Sequence, residues 1–347
     1  MRKPKDRDYV ETVDGLFFCL TGYLHPPDGY TAYPKYAPGD GIWSRDGVTY
    51  ARIMRRYHVS EVRRMMEELQ ALRPEYVRFC PVRQIRMTFV PKRLVKRYYM
   101  PEQRLSQMLH EGPGDELEAQ TVELAEAVSD GADVPVENLG VTGSILIAIH
   151  NPKYSDIDLT VYGVRSSSSV REWMRSGGDG VVEKLRGREL EEWCVRRAGM
   201  FGLDRKTVRV IASRRWNYGL FEGRRFSMHP TRTDEEITET YGDRTYRPIG
   251  FVRAVATVSD SREAMYTPAV YRVEDVKVLE GPREAETVSE VVSYEGLFCD
   301  VAYEGEQIEL AGKLERVEKA DGSVYMRVLV GSTEYPNSYI KPLVDRP

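Results

Sequence analysis

The sequence predicts an α+β protein of more than one domain, and three observations predict it. Alternating apolar runs, cut by Gly, Pro and Asp-Gly turns, crowd both ends of the chain. Apolar residues at helical spacing recur between them. At the centre, a strand pattern passes through a glycine turn and returns as a second strand carrying two acids. With 347 residues and 41% hydrophobic content, the chain can bury a substantial core and is expected to hold two or three domains.

Taken in order, residues 16–24, 30–36 and 48–53 read as strands, punctuated by Pro26-Pro27, Asp28-Gly29, Pro38-Gly39 and Asp46-Gly47. Val62, Met65, Met66 and Leu69 predict a helix over 61–72. Together these make a small α+β module over residues 1–110, with a sheet of about three strands. Gly112-Pro113-Gly114 then breaks the chain before an acidic helix over 115–129, whose Leu117, Val122, Leu124, Ala125 and Val128 can pack on a sheet that begins at Leu139. Residues 163–170 read as a serine-rich connector. Helices are predicted near 170–175, 181–198 and 205–215, and strands over 225–229 and 251–258. A charged linker at 281–287 closes a core of residues 111–280. Residues 281–347 alternate around Asp321-Gly322, a hairpin signal, and predict a small β-barrel-like module.

Fifty Lys and Arg residues face 54 Asp and Glu, a formal net charge of −4, so any nucleic-acid contact must come from local patches. The four cysteines include no Cys-x-x-Cys pair, which argues against zinc and for a reducing interior. No opening run resembles a signal peptide and none has the length to span a bilayer, so a cytoplasmic protein without a membrane partner is expected. Ten Asn and Gln against 104 charged residues is a thermophile-like composition.

The central motif is Leu139-Gly140-Val141-Thr142-Gly143-Ser144, then Asp156-Ile157-Asp158-Leu159. Strand alternation places Asp156 and Asp158 on one face, close enough to share divalent metal ions. Gly143 and Ser144 stand where a strand enters a helix, whose first N–H groups suit a phosphate chain. Paired acids beside a phosphate cradle are the parts that metal-assisted attack on a nucleoside triphosphate requires.

This constellation resembles the DNA polymerase beta-type nucleotidyltransferase superfamily, marked by a Gly-Ser turn and, about a dozen residues later, Asp-x-Asp. Further segments, among them Asp14-Gly15-Leu16-Phe17-Phe18, His25-Pro26-Pro27, residues 45–50 and residues 266–271, are similar to a group of predicted, mostly archaeal nucleotidyltransferases. The resemblance implies a mixed-sheet core over residues 111–280. In it Asp156 and Asp158 would hold two Mg2+ (or Mn2+) ions, and Gly143 and Ser144 the phosphates of an NTP substrate. The product would be a nucleoside monophosphate ester with release of pyrophosphate. Such enzymes carry a third carboxylate on a later strand. Asp260, at the end of the run 251–260, is the candidate, against its reading as a turn residue; His229 falls in the strand where that acid is expected.

A basic stretch over 205–232 contains Arg214, Arg215, Trp216, Arg224 and Arg225. Arginines grip phosphates and an aromatic face can stack on a base, which favours RNA as the acceptor; the plain alternative is a solvated surface. The rival reading of the whole chain is a catalytically silent protein that keeps the fold and binds nucleotide or nucleic acid.

Overall fold

A computed structural model describes residues 2–54 and 58–343. In chain order, the first part holds β1 (Tyr9–Thr12), β2 (Phe17–Leu20), β3 (Gly29–Arg45), β4 (Val48–Arg52), α1 (Val59–Leu72), β5 (Val77–Cys80), β6 (Ile85–Pro91) and β7 (Val95–Tyr99). Next come α2 (Pro101–Glu111), α3 (Glu116–Ala132), β8 (Leu139–Val141), α4 (Gly143–Leu146), β9 (Ile157–Tyr162), α5 (Val164–Ser176), α6 (Gly187–Phe201), α7 (Arg205–Arg214), β10 (Tyr218–Phe221) and β11 (Arg224–Thr231). The last part is all strand: β12 (Arg244–Asp260), β13 (Ala269–Glu280), β14 (Val288–Ser293), β15 (Gln307–Lys319), β16 (Val324–Val330) and β17 (Tyr339–Pro342). The α+β class is as expected.

The domain division differs from three consecutive blocks. One unit comprises Met1–Met54, Thr88–Leu185 and Trp216–Glu239, and the other Arg55–Met87, Arg186–Arg215 and Thr240–Pro347. Helix α1 thus belongs to the second unit rather than to an N-terminal module, and residue 280 is no boundary.

In the first unit, the antiparallel strands β3, β2, β1 and β7 lie side by side, with β4 and the end of β6 also paired to β3. This sheet is larger than the expected three strands because β1 and β7 lack a long apolar run. The second sheet has the order β10-β11-β9-β8, with β11 and β9 parallel. Helix α3 starts where predicted: the Asp115 carboxylate accepts a hydrogen bond from the Glu118 amide, an N-cap. Its Leu117, Leu124, Ala125 and Val128 are fully buried.

Residues 164–170 are helical, not a connector. Ser166 and Ser167 are buried, and Ser167 Oγ donates to the Val161 carbonyl at 3.2 Å. Packing and these local bonds outweigh the weak helix propensity of serine. The expected helix over 181–198 begins later, at Gly187, because Glu183 pairs with Leu220 as an isolated bridge.

In the second unit, β12, β13, β14, β16 and β15 form a ring that β12–β15 pairing closes, with β14 and β16 parallel. Strand β17 extends the same sheet along β15. The Asp321-Gly322 hairpin between β15 and β16 is as predicted. The barrel is larger than the sequence reading, because β12 and β13 belong to it rather than to the core before residue 280. Val252, Ala254, Ala256, Val258, Tyr271, Leu310 and Val328 fill its interior with Cys194 and Phe201 of α6 and Val208 and Ile211 of α7. Fold alone assigns the barrel no ligand.

Candidate functional site

Strand β9 places the two acids. It runs between β8, antiparallel, and β11, parallel, and fully buries Ile157, Leu159 and Val161. The period of two then turns Asp156 and Asp158 together to the other face. Asp156, just before the strand, is exposed, whereas the Asp158 side chain keeps 30% of its surface.

The glycine turn packs against the second acid. Gly143 has φ +71°, and a Cβ there would stand 2.6 Å from Asp158 Oδ2. Glycine is required twice over: for the left-handed backbone and for the space the carboxylate occupies. Ser144 is buried, and its hydroxyl is 3.3 Å from Ser155 Oγ, which in turn accepts the Asn151 amide at 3.0 Å. Its side chain therefore braces the loop that leads to Asp156. Helix α4 is a single turn of four residues, so it offers amide groups with little macrodipole.

The two carboxyls are pushed apart electrostatically. Loss of solvent and the Asp158 charge raise the Asp156 carboxyl above its usual range, against the pull of Arg225, Arg52 and Arg224. Burial would raise Asp158 as well, but His229, the Lys35 charge and Ser227 outweigh it and hold that carboxyl well below the usual range. Ser227 on β11 is register partner to Asp158, and its Oγ donates to Asp158 Oδ1. His229 Nε2 lies 2.8 Å from the same Oγ and 3.8 Å from Asp158 Oδ1. Burial and the Arg7 charge push the imidazole down to about 4, against Asp158, so it is neutral at pH 7.

The other expected site residues fare differently. Asp260 ends β12 in the second unit, where its carboxylate accepts from the Arg262 amide at 2.8 Å and from the Arg262 guanidinium. That is the turn chemistry of a strand end. Arg214 also lies in the second unit, bonded to both Glu306 oxygens and the Val301 carbonyl, and is occupied internally rather than presented to RNA. The Arg215 guanidinium lies 5.7 Å from the centre of the Trp193 ring. Trp216 is buried at 3% exposure, which removes it as a stacking platform. Arg224 donates to the Ser155 carbonyl at 2.9 Å and to Gln120, so it anchors the residue before Asp156. Arg225 is exposed beside the acids.

Among the described residues, no group of three or more His, Cys, Asp and Glu is placed to hold a metal ion. Magnesium needs no such cage: it keeps several waters and takes one or two carboxylates together with substrate phosphates. Asp156 and Asp158 match that donor set, and the absence of a side chain at Gly143 is what leaves room for Asp158 Oδ2. Sequence reasoning missed Ser227, Lys35 and Arg7. The alternation Ser227-Met228-His229 was a readable signal once β11 stood beside β9, whereas Lys35 and Arg7 come from a distant sheet that no local pattern links to Asp158.

The chain is 30% identical to the uncharacterized protein MJ1086 of the archaeon Methanocaldococcus jannaschii, over 98% of this chain and 99% of that protein. It belongs to the same family. No family model matches the chain. No solved structure matches it. Among the described residues, no helix is long and apolar enough to cross a membrane.

Proposed function

We propose that this chain is a metal-dependent nucleotidyltransferase that moves a nucleoside monophosphate from an NTP to an acceptor hydroxyl, releasing pyrophosphate. The observation that carries the reading is the pair Asp156 and Asp158, like charges on one strand face, with the obligatory glycine Gly143 against the second. Mg2+ or Mn2+ bound there would neutralise triphosphate charge and lower the pKa of the acceptor hydroxyl. Asp158, kept ionised by its surroundings, is the fixed anionic ligand. Asp156, its carboxyl raised by loss of solvent and by the Asp158 charge, would be the second ligand, its anionic form favoured by the cation. Arg225 and Arg52 are charges that act on Asp156, and triphosphate oxygens bound there would meet them. An RNA 3′ end is the acceptor to test first, although Arg225 alone among the basic-aromatic candidates keeps an exposed place beside the acids.

The second reading, a silent nucleotide binder, is favoured by one observation: Ser227 and His229, not an acid, face Asp158 from β11. Incubation with each labelled NTP, Mg2+ or Mn2+ and RNA separates the two. Pyrophosphate release that Asp158→Asn abolishes supports the enzyme. Nucleotide binding with no release under any of these conditions supports the binder.

A further inference from the structure

Strand β11 brings two polar side chains to the face that carries Asp158. Register pairs Ser227 with Asp158, and alternation puts His229 on the same side while Met228 is fully buried on the other. The hydroxyl of Ser227 has one proton, and it goes to Asp158 Oδ1. The imidazole nitrogen 2.8 Å from that same oxygen must then be the donor, so His229 carries its proton on Nε2. A directed chain follows: His229 Nε2–H to Ser227 Oγ, and Ser227 Oγ–H to Asp158 Oδ1. At 3.8 Å the imidazole is too far from Oδ1 to bond it, so it acts through the serine. Asp158 Oδ2 is the carboxylate oxygen on the Gly143 side, 2.6 Å from where a Cβ would stand there.

We infer that His229 is a positioning residue which, through Ser227, locks Asp158 so that Oδ2 is the oxygen offered to a single divalent cation. The inference rests on the cation reading proposed above. Two features specify it. The chain occupies one carboxylate oxygen and leaves the other, which fixes the direction of ligation. Two carboxylates also balance the charge of one divalent ion, and the chain from β11 adds no third negative charge. Groups that orient a ligating carboxylate in this way are worth roughly 10- to 100-fold in metal affinity.

Mn2+ titration of the full chain, with free Mn2+ read by electron paramagnetic resonance and Tm recorded for each variant, tests it. The wild-type chain is expected to take up one ion. His229→Leu should weaken Mn2+ binding about 10-fold, and His229→Gln, which restores an N–H donor at similar reach, should recover most of the loss. Ser227→Ala should weaken binding as much as His229→Leu, and the double variant no more than Ser227→Ala alone, because the histidine acts through the serine. Unchanged affinity in Ser227→Ala, or losses that multiply in the double variant, overturn the inference while leaving the cation reading standing. A wild-type chain that takes up no Mn2+ overturns both. Should His229→Leu fail to fold, the comparison of Ser227→Ala with His229→Gln decides alone.

Discussion

The barrel and the β9 face treat partly buried charge in opposite ways. On the barrel, nearly every such charge meets its opposite. Arg327, 7% exposed, donates to Glu315, 1% exposed, at 2.9 Å and lies 3.8 Å from the centre of the Tyr246 ring. Glu290 receives Arg272 at 2.8 Å and Tyr325 at 3.2 Å, and Lys313 stands 3.0 Å from Glu334. On β9, two acids of one sign share a face, and the Asp158 charge raises the Asp156 carboxyl. Paired buried charges are complete within the fold, and removing one partner mainly harms stability. On the proposed reading, the like-charged pair would be completed by a divalent cation. The same residue types read as architecture in one region and, if the proposed function holds, as chemistry in the other.

The comparison can be broken first at its strongest point. Glu315→Ala leaves Arg327 buried without its main partner and should destabilise the second unit by about 3 kcal/mol. A loss below about 1 kcal/mol in denaturant unfolding would show that the barrel pairs are not structural. The next effect concerns an exception to the pairing. Glu295, whose Oε1 accepts the Val59 amide at 3.0 Å, is pushed up by burial to about 7 from an ordinary 4.5. A folded pKa above the unfolded value means that its contribution is fully present below pH 4.5 and is lost as pH rises through 7. Glu295→Gln, which keeps the acceptor, should therefore stabilise the protein by on the order of 2 kcal/mol at pH 8 and by nothing at pH 4. Equal effects at the two pH values would contradict this. The smallest effect is expected at the site itself. Asp156→Asn should leave the metal-free protein as stable or raise stability by less than about 1 kcal/mol, since it relieves repulsion from Asp158 at an exposed position. A drop in Tm would place Asp156 among the structural acids of the barrel type.

The site was more legible in the sequence than the domains were. Gly143, Asp156 and Asp158 lie in one contiguous strand–turn–strand, so local geometry already brings them together. Ser144 was found, but its role was not: only the fold shows its hydroxyl meeting Ser155. Trp216 and Arg214 looked like a binding patch because basic and aromatic residues are ambiguous until burial and partners are known. The interleaved units were illegible for a different reason. Residues 58–87 fall in the same unit as the barrel, and residues 186–215 share its core, yet nothing in their own periodicity names the partner. Strand β12 shows the same limit, since its register with β15 spans about fifty residues of intervening chain.

The central claim, that the β9 face is completed by a divalent cation and a triphosphate, is tested most directly by crystals soaked with Mn2+ and a non-hydrolysable nucleoside triphosphate. The account predicts an anomalous peak coordinated by Asp156 and by Asp158 Oδ2, with triphosphate oxygens completing the shell. Ordered nucleotide elsewhere in the unit, with no anomalous density at these two carboxylates, would contradict it.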